Sequence, residues 1–372
     1  MVTRVKDITS LMEKLAPREY AMEWDNVGLQ IGSYEKEVKK IIISLDITKE
    51  VLEEAIEQDI DLIISHHPII FSPLKSIVKE DYKGNLIHKA ISNNISIYAT
   101  HTNMDIAIGG LNDFVAKKIG LENISILDIT NKEKLYKIVV FIPIGYEEKV
   151  ADALALAGAG HIGNYSHCSF RNSGTGTFKA LEGTNPFIGE QGKLEKVDEM
   201  RLETIVTEQN LNMAINNMIK AHPYEEVAYD IFPLHQEGEG IGIGRFGKLK
   251  TPQKIEDLID KLKFIFNLKQ IRYVKANDDE IENTAIVNGS GAGYIKLAKK
   301  QNCQCLITGD VKYHDAQIAK ELGISVIDAG HFETEIFFIQ LVEEYLKEAF
   351  EKNNIDVDIM VSNTKTNPFK IL

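Results

Sequence analysis

Cysteine is scarce in this chain. Cys168, Cys303 and Cys305 are the only three, an odd number unsuited to a disulfide framework. Cys303-Gln-Cys305 sits in a strand-like run and reads as buried thiols acting as small hydrophobes rather than as a metal pair. No apolar run approaches the ~18–20 residues needed to cross a bilayer, so no membrane association is expected. The N-terminal stretch alternates charged with apolar positions and lacks the apolar core of a signal peptide, which predicts a cytoplasmic protein. Basic residues are outnumbered, 42 Lys and Arg against 55 Asp and Glu, for a net charge of −13. That balance disfavours nonspecific duplex binding through a broad basic face and makes nucleic acid an unexpected partner. A local cationic site, including a metal, stays open. Tryptophan occurs once, as Trp24, in a stretch Glu23-Trp24-Asp25-Asn26-Val27-Gly28-Leu29 that reads as a packed turn. Phosphate-loop, nucleophile-elbow and His-Glu-x-x-His motifs are all absent. Gly242-Ile-Gly244-Arg-Phe-Gly247 matches the dinucleotide fingerprint by letters only. No buried strand precedes it and Lys-Leu-Lys-Thr-Pro252 follows, so it reads as a turn or close-packed strand.

What is present is an α/β pattern. At 372 residues the chain predicts two or three domains of ~100–200 residues each. Lys40 to Asp46, Leu62 to Ser65 and Ser96 to Thr100 are short buried runs separated by helical periods at Thr48 to Gln58 and Leu86 to Asn93, which implies a parallel sheet. Near Ile129 the pattern changes to a β-α-β-β-α-β order, the ferredoxin-like arrangement, with Tyr165 to Phe178 read as a hairpin turning at Asn172-Ser-Gly174. From Ala285 onward the first pattern restarts. The predicted architecture is two similar α/β halves, residues 1–129 and 236–372, forming one metal-binding domain interrupted by an inserted ferredoxin-like α+β domain at 130–235.

Chemistry gathers at strand ends. Ser65-His66-His67-Pro68 closes one buried strand; proline stops it, and the carboxyl ends of strands in an open α/β sheet are where ligands collect. Equivalent ends carry Asp46, Asp105, Asp310 and His331. If a helix begins near His331, Glu335 lies four residues on and shares its face. Each of these alone could be a cap, a turn aspartate or a core histidine. Together they suit more than one divalent ion, with a carboxylate such as Glu335 able to bridge two ions ~3.5–4 Å apart around a shared water or hydroxide. Mixed nitrogen and oxygen ligation without thiolate suits zinc, iron, manganese or cobalt better than calcium. His101 and His314 lie beside the constellation in sequence and are candidates for proton transfer, for orienting a ligand, or for facing substrate. His222-Pro-Tyr-Glu-Glu226 reads as a turn at a subunit contact; His88 and His235 read as solvated, on a helix and in a loop, and His161 and His167 as turn or strand-surface residues.

In order and combination, Trp24-Asp-Asn-Val-Gly-Leu29, Ser65-His-His-Pro68, His101-Thr-Asn-Met-Asp105, Thr308-Gly-Asp310 with Tyr313-His-Asp315, and Asp328-Ala-Gly-His-Phe-Glu-Thr-Glu335 resemble the Nif-three-like proteins, the GTP cyclohydrolase 1 type 2 homologs. The resemblance spans nearly the whole chain. It implies a dinuclear centre on His66, His67, Asp105, His331 and Glu335, with Glu335 bridging, and leaves Asp310 outside the ligand set. It implies a ring-shaped homohexamer, and an inserted module similar to the PII and cation-tolerance folds. It further implies a metal-dependent hydrolase of a nucleotide, in which metal-bound hydroxide attacks C8 of a guanine ring. A phosphoester hydrolase is an equal chemistry for the same two ions, and a regulatory or scaffold protein with structural or sensory metals is the reading from another class.

Overall fold

Short apolar runs become the buried strands of two sheets in the computed structural model, which describes residues 2–370. The chain opens with α1 (Val5–Leu15), β1 (Gly28–Ile31), β2 (Lys40–Ser44), α2 (Lys49–Glu57), β3 (Leu62–Ser65), α3 (Tyr82–Ser92), β4 (Ser96–Ala99), α4 (Thr102–Ile106) and α5 (Leu111–Lys118). Then come β5 (Leu121–Pro143), α6 (Glu147–Leu156), β6 (Ser169–Lys179), β7 (Leu194–Thr207), α7 (Glu208–Ala221) and β8 (Tyr229–Gln253). The last third carries α8 (Ile255–Ile265), β9 (Arg272–Val274), β10 (Ile281–Ser290), α9 (Ile295–Lys300), β11 (Cys305–Gly309), α10 (Tyr313–Leu322), β12 (Ser325–Asp328), α11 (His331–Glu335), α12 (Phe337–Asn353) and β13 (Asp358–Val361). The mixed α/β class is as expected. No helix among the described residues is long and apolar enough to cross a membrane. The chain divides into two compact units, Met1–Asn131 with Ile241–Leu372, and Lys132–Gly240.

In the first unit, one sheet has the order β1-β4-β3-β2-β13, with β13, β2, β3 and β4 parallel and β1 antiparallel at the edge. In the other, β10, β11 and β12 run parallel between antiparallel edges formed by the end of β8 and by β9. Alternation of side chains along a strand explains why these runs are apolar on both faces. Ile41 and Ile43 enter a central core while Ile42 faces Leu52 of α2 and Leu86 of α3. Likewise Ile286, Ile307 and Ile327 join the central core, and Ala285, Leu306 and Val326 face Ala298 of α9 and Ala319 of α10. Between the inner faces lie α1, α5, α8 and α12, whose Ile8, Val115, Leu258 and Phe338 fill that core. Each such buried side chain contributes about 1.5–3 kcal/mol.

Arg245 is the largest fully buried side chain among the described residues. Its Nε and Nη2 reach the two oxygens of Asp113 at 2.6 and 2.9 Å, and its remaining donors go to the carbonyls of Gly242, Gly244 and Ala107. A buried charge is tolerated only when paired and saturated in this way. The glycine run beside it is strand, not loop. A Cβ on Gly242 would sit 1.8 Å from the Asp128 carbonyl oxygen, so the neighbouring backbone excludes any side chain there.

In the second unit, β6 pairs antiparallel with β7, and β7 with β5. Ile138, Val140, Leu154, Leu202 and Met218 form its core. Two expectations change here. The hairpin turn read at Asn172-Ser-Gly174 is absent: β6 runs straight through, with Gly174 opposite Glu199. A tight hairpin turn needs positive φ, and none of these three residues has it; the connection to β7 does, at Gly183, Gly189 and Gly192. His235 lies in β8 rather than a loop. His222 closes α7, buried, with Nε2 3.0 Å from the Phe141 carbonyl and Nδ1 accepting from the Tyr224 amide.

Candidate metal centre

The parallel strands of the first unit end in polar residues at their carboxyl ends, and these side chains converge. His66 leaves β3 completely buried. Its Nδ1 lies 2.9 Å from the Thr100 carbonyl. A carbonyl only accepts, so Nδ1 carries the proton and Nε2 keeps its lone pair. That Nε2 is 3.8 Å from Glu335 Oε1 and 3.9 Å from Asp105 Oδ2, with no hydrogen-bond partner. His67 follows, its amide bonded to Leu45 O and its Nδ1 2.7 Å from Asp46 Oδ1. The other Asp46 oxygen accepts from Thr366.

His331 opens α11, and its Nδ1 is 2.7 Å from Asp310 Oδ2. The expected i, i+4 pairing is present, with His331 Nε2 3.1 Å from Glu335 Oε2. His67 Nε2 lies 3.0 Å from the same oxygen. Glu335 Oε2 is thus buried between these two nitrogens, and Asp105 Oδ1 is buried with no hydrogen-bond partner. Thr334 fixes the helix start by accepting from the Gly289 amide and donating to Gly330 O. Gly289 has φ +62°, and a Cβ there would stand 2.1 Å from Glu335 Oε1; the carboxylate occupies the space a side chain would take.

His101 precedes α4. Its Nδ1 is 2.9 Å from Asp25 Oδ1, while Asp25 Oδ2 accepts from the Thr102 amide and hydroxyl. The His101 ring packs edge-on to His66 at 5.2 Å and to His67 at 5.5 Å between centroids. Among the described residues, two groups of donor atoms, each within 4.8 Å, could hold a metal ion: His66, His67 and His101, and His67, His331 and Glu335. His314 belongs to neither. It is exposed on α10 with Nδ1 3.1 Å from Gln317 Oε1. Cys303 and Cys305 are buried, and burial pushes the Cys303 thiol up to about 12.

Electrostatics separate the groups. Burial drives the His66 imidazolium down to about 4. Burial also opposes charge on His67, but Asp46 and Glu335 outweigh it and raise the ring to about 10. His331 rises to about 9, chiefly through Glu335, against burial and with help from Asp310. Desolvation resists ionisation of Glu335, yet His331, His66 and His67 hold its carboxyl well below the usual range. Asp105 is pushed well above that range by burial, then by the Glu335 charge. A carboxylate among imidazoles, with unpartnered buried nitrogen and oxygen atoms pointing inward, is chemistry that suits a divalent ion of the nitrogen and oxygen class.

Three contributors escape a reading of the sequence. Asp25 sits in what reads as a packed turn, 76 positions from the histidine it touches. Thr366 and Gly289 act through space in the same way. For Gly289, the Gly-Ser-Gly after a buried strand is the one local signal.

A family model described as Duf34/NIF3 (NGG1p interacting factor 3) matches residues 3–368. A protein of Halalkalibacterium halodurans named GTP cyclohydrolase 1 type 2 homolog is 43% identical over 365 residues, covering 98% of each chain. The Bacillus subtilis protein of that name is 42% identical over 367 residues, covering 99% of this chain and 98% of the relative. Among solved structures, a Bacillus cereus protein related to NIF3 is similar over 100% of both chains, with a TM-score of 0.91 at 41% identity.

Proposed function

The chain belongs to the Duf34/NIF3 family, and we propose that it is a dinuclear metal-dependent hydrolase acting on a nucleotide. One observation carries this reading: His66 Nε2 and Asp105 Oδ1 are buried with no hydrogen-bond partner, and Glu335 Oε2 beside them is buried between His67 Nε2 and His331 Nε2 at 3.0 and 3.1 Å. Buried polar atoms left this way cost about 1–3 kcal/mol each unless something satisfies them. The two oxygens of Glu335 face different neighbours, Oε1 toward His66 and Oε2 toward His67 and His331, which suits a bridging role. His66, His67, Asp105, His331 and Glu335 would hold two divalent ions, zinc foremost. Such a pair supplies Lewis acidity and a lowered pKa for water.

The chain's own residues do the rest. Asp46 and Asp310 keep Nδ1 of His67 and His331 occupied so that Nε2 faces the centre, and Thr100 does so for His66. Asp25 holds His101 by Nδ1, which leaves Nε2 to carry a proton to or from substrate. His314 would deliver a proton only from the solvent side. The relatives' name points to guanine-ring opening with loss of formate.

The finer architecture belongs to the same reading. Residues 130–235 form an inserted ferredoxin-like domain, the flanking segments are two similar halves, and six copies assemble into a ring. The strand triplets β2-β3-β4 and β10-β11-β12, each ending in polar residues, support the two halves.

The test is metal content and formate release from GTP on one preparation, beside Glu335→Ala. Two ions per chain and formate release, both lost in the variant, are expected, with a six-copy mass by light scattering. Two ions without turnover on GTP or on phosphoesters would turn the reading to a scaffold with structural metals. Less than one tightly held ion would overturn it.

A further inference from the structure

Two large aromatic side chains stand exposed beside the centre. Trp24 is 59% exposed and Phe71 45%. They are in contact with each other, ring centroids 5.8 Å apart, and both lie edge-on to His101 at 6.2 and 6.3 Å. Scattered exposed apolar residues need no explanation; a paired Trp and Phe against a candidate catalytic imidazole does. The pair is also rigidly held. Asp25, next to Trp24, accepts from Thr102 and packs on His101, while the Asn26 side chain donates to Ile70 O at 2.5 Å. Gln30 clasps the same two segments, taking the Ile70 amide at 2.8 Å and donating to Asn26 O at 2.6 Å. Each exposed ring therefore sits one or two residues from a backbone that is pinned to the other.

We propose that Trp24 and Phe71 form a stacking platform for the heteroaromatic base of the substrate. This rests on the hydrolase reading and names what the site recognises: the planar ring of a nucleotide, ahead of its phosphates. The centroid separation is too small for a ring to enter between them, since stacked or edge-on pairs need ~4.5–7 Å on each side. The base lies on the open face of Trp24, braced by Phe71, and so beside His101. An aromatic face binds any base, which gives affinity without a carboxylate aimed at the base edge.

Trp24 is the only tryptophan in the chain, so its fluorescence reports the platform directly. Metal-loaded protein is titrated with guanosine, guanosine 5′-monophosphate and ribose 5-phosphate, and ion content is measured on the same samples. Saturable quenching by the first two and none by the third is expected. Phe71→Ala and Phe71→Leu should each weaken guanosine binding about tenfold, and Trp24→Leu at least as much by equilibrium dialysis, with ion content unchanged. Equal response to ribose 5-phosphate, or unaltered affinity in Trp24→Leu, overturns the platform. Full ion content without a guanosine response would sink the platform and leave the metal centre standing. A guanosine response in protein that holds no ions would do the reverse.

Discussion

On the side of the first sheet, His66, His67 and His101 each have Nδ1 tied to an acceptor: the buried Thr100 carbonyl, Asp46 under Thr366 and 30% exposed, and the fully buried Asp25 under Thr102. On the side of the second sheet, His331 is held by Asp310, whose carboxylate is 48% exposed. The first sheet offers the more buried side of the candidate centre; the second offers the pair more open to water. Buried orientation is expensive to disturb because solvent cannot replace the lost partner. Exposed orientation is cheaper to disturb.

The two sides are fastened together by Arg245, which extends from β8 to Asp113 and to the Ala107 carbonyl just after Asp105. Removing one partner of a buried pair strands the other charge. Asp113→Ala should therefore cost about 3–5 kcal/mol of stability, read by denaturant unfolding of the full chain. A loss under about 1 kcal/mol, the range of exposed pairs, would mean that Arg245 is not the fastening it looks to be.

Contrast between the orienting carboxylates should be smaller and more telling. Asp46→Asn is expected to weaken ion binding about 10–100-fold, measured by chelator competition. Asp310→Asn should cost only a fewfold, because that carboxylate is the more exposed of the two, 48% against 30% for Asp46, and among the described residues lacks a partner like Thr366. Equal losses would erase the distinction between the two sides.

How much of this could be read from the sequence follows from the range of the interactions. β2, β3 and β11 are continuous apolar runs because both their faces are buried, and such runs announce themselves. His331 and Glu335 are legible because four residues on a helix is a local spacing. The straight course of β6 through Asn172-Ser-Gly174 is not: its letters suit a turn, and only the pairing of Gly174 with Glu199 and the close approach of Glu199 to Gly176 keep it extended. Asp25 with His101, and Arg245 with Asp113, are pairs separated by 76 and 132 positions. No local pattern encodes them. The glycines of β8 match a dinucleotide fingerprint by letters, but the absence of a preceding buried strand and of a following helix makes them read as a turn or close-packed strand, and Gly242 is small because the backbone at Asp128 passes too near for a side chain.

Proton release should show the least dramatic difference between the sides, yet it reads the ligands directly. Without ions, His67 and His331 titrate at about 10 and about 9, raised by carboxylate partners, while burial holds His66 down at about 4. At pH 8 the first two are imidazolium and His66 is neutral. A histidine must be neutral to bind a metal, so ion uptake at pH 8 should expel one proton from His67 and one from His331, and none from His66. Titration of metal-free protein with zinc in weak buffer, followed by a pH indicator, should show this release. The release should shrink as the starting pH rises through 9 and then 10, because those protons are already gone. Ion affinity should rise over the same interval, since competition from protons fades. Release that is absent at pH 8 would mean that His67 and His331 are neutral without ions, and that Glu335 does not hold them as charged partners.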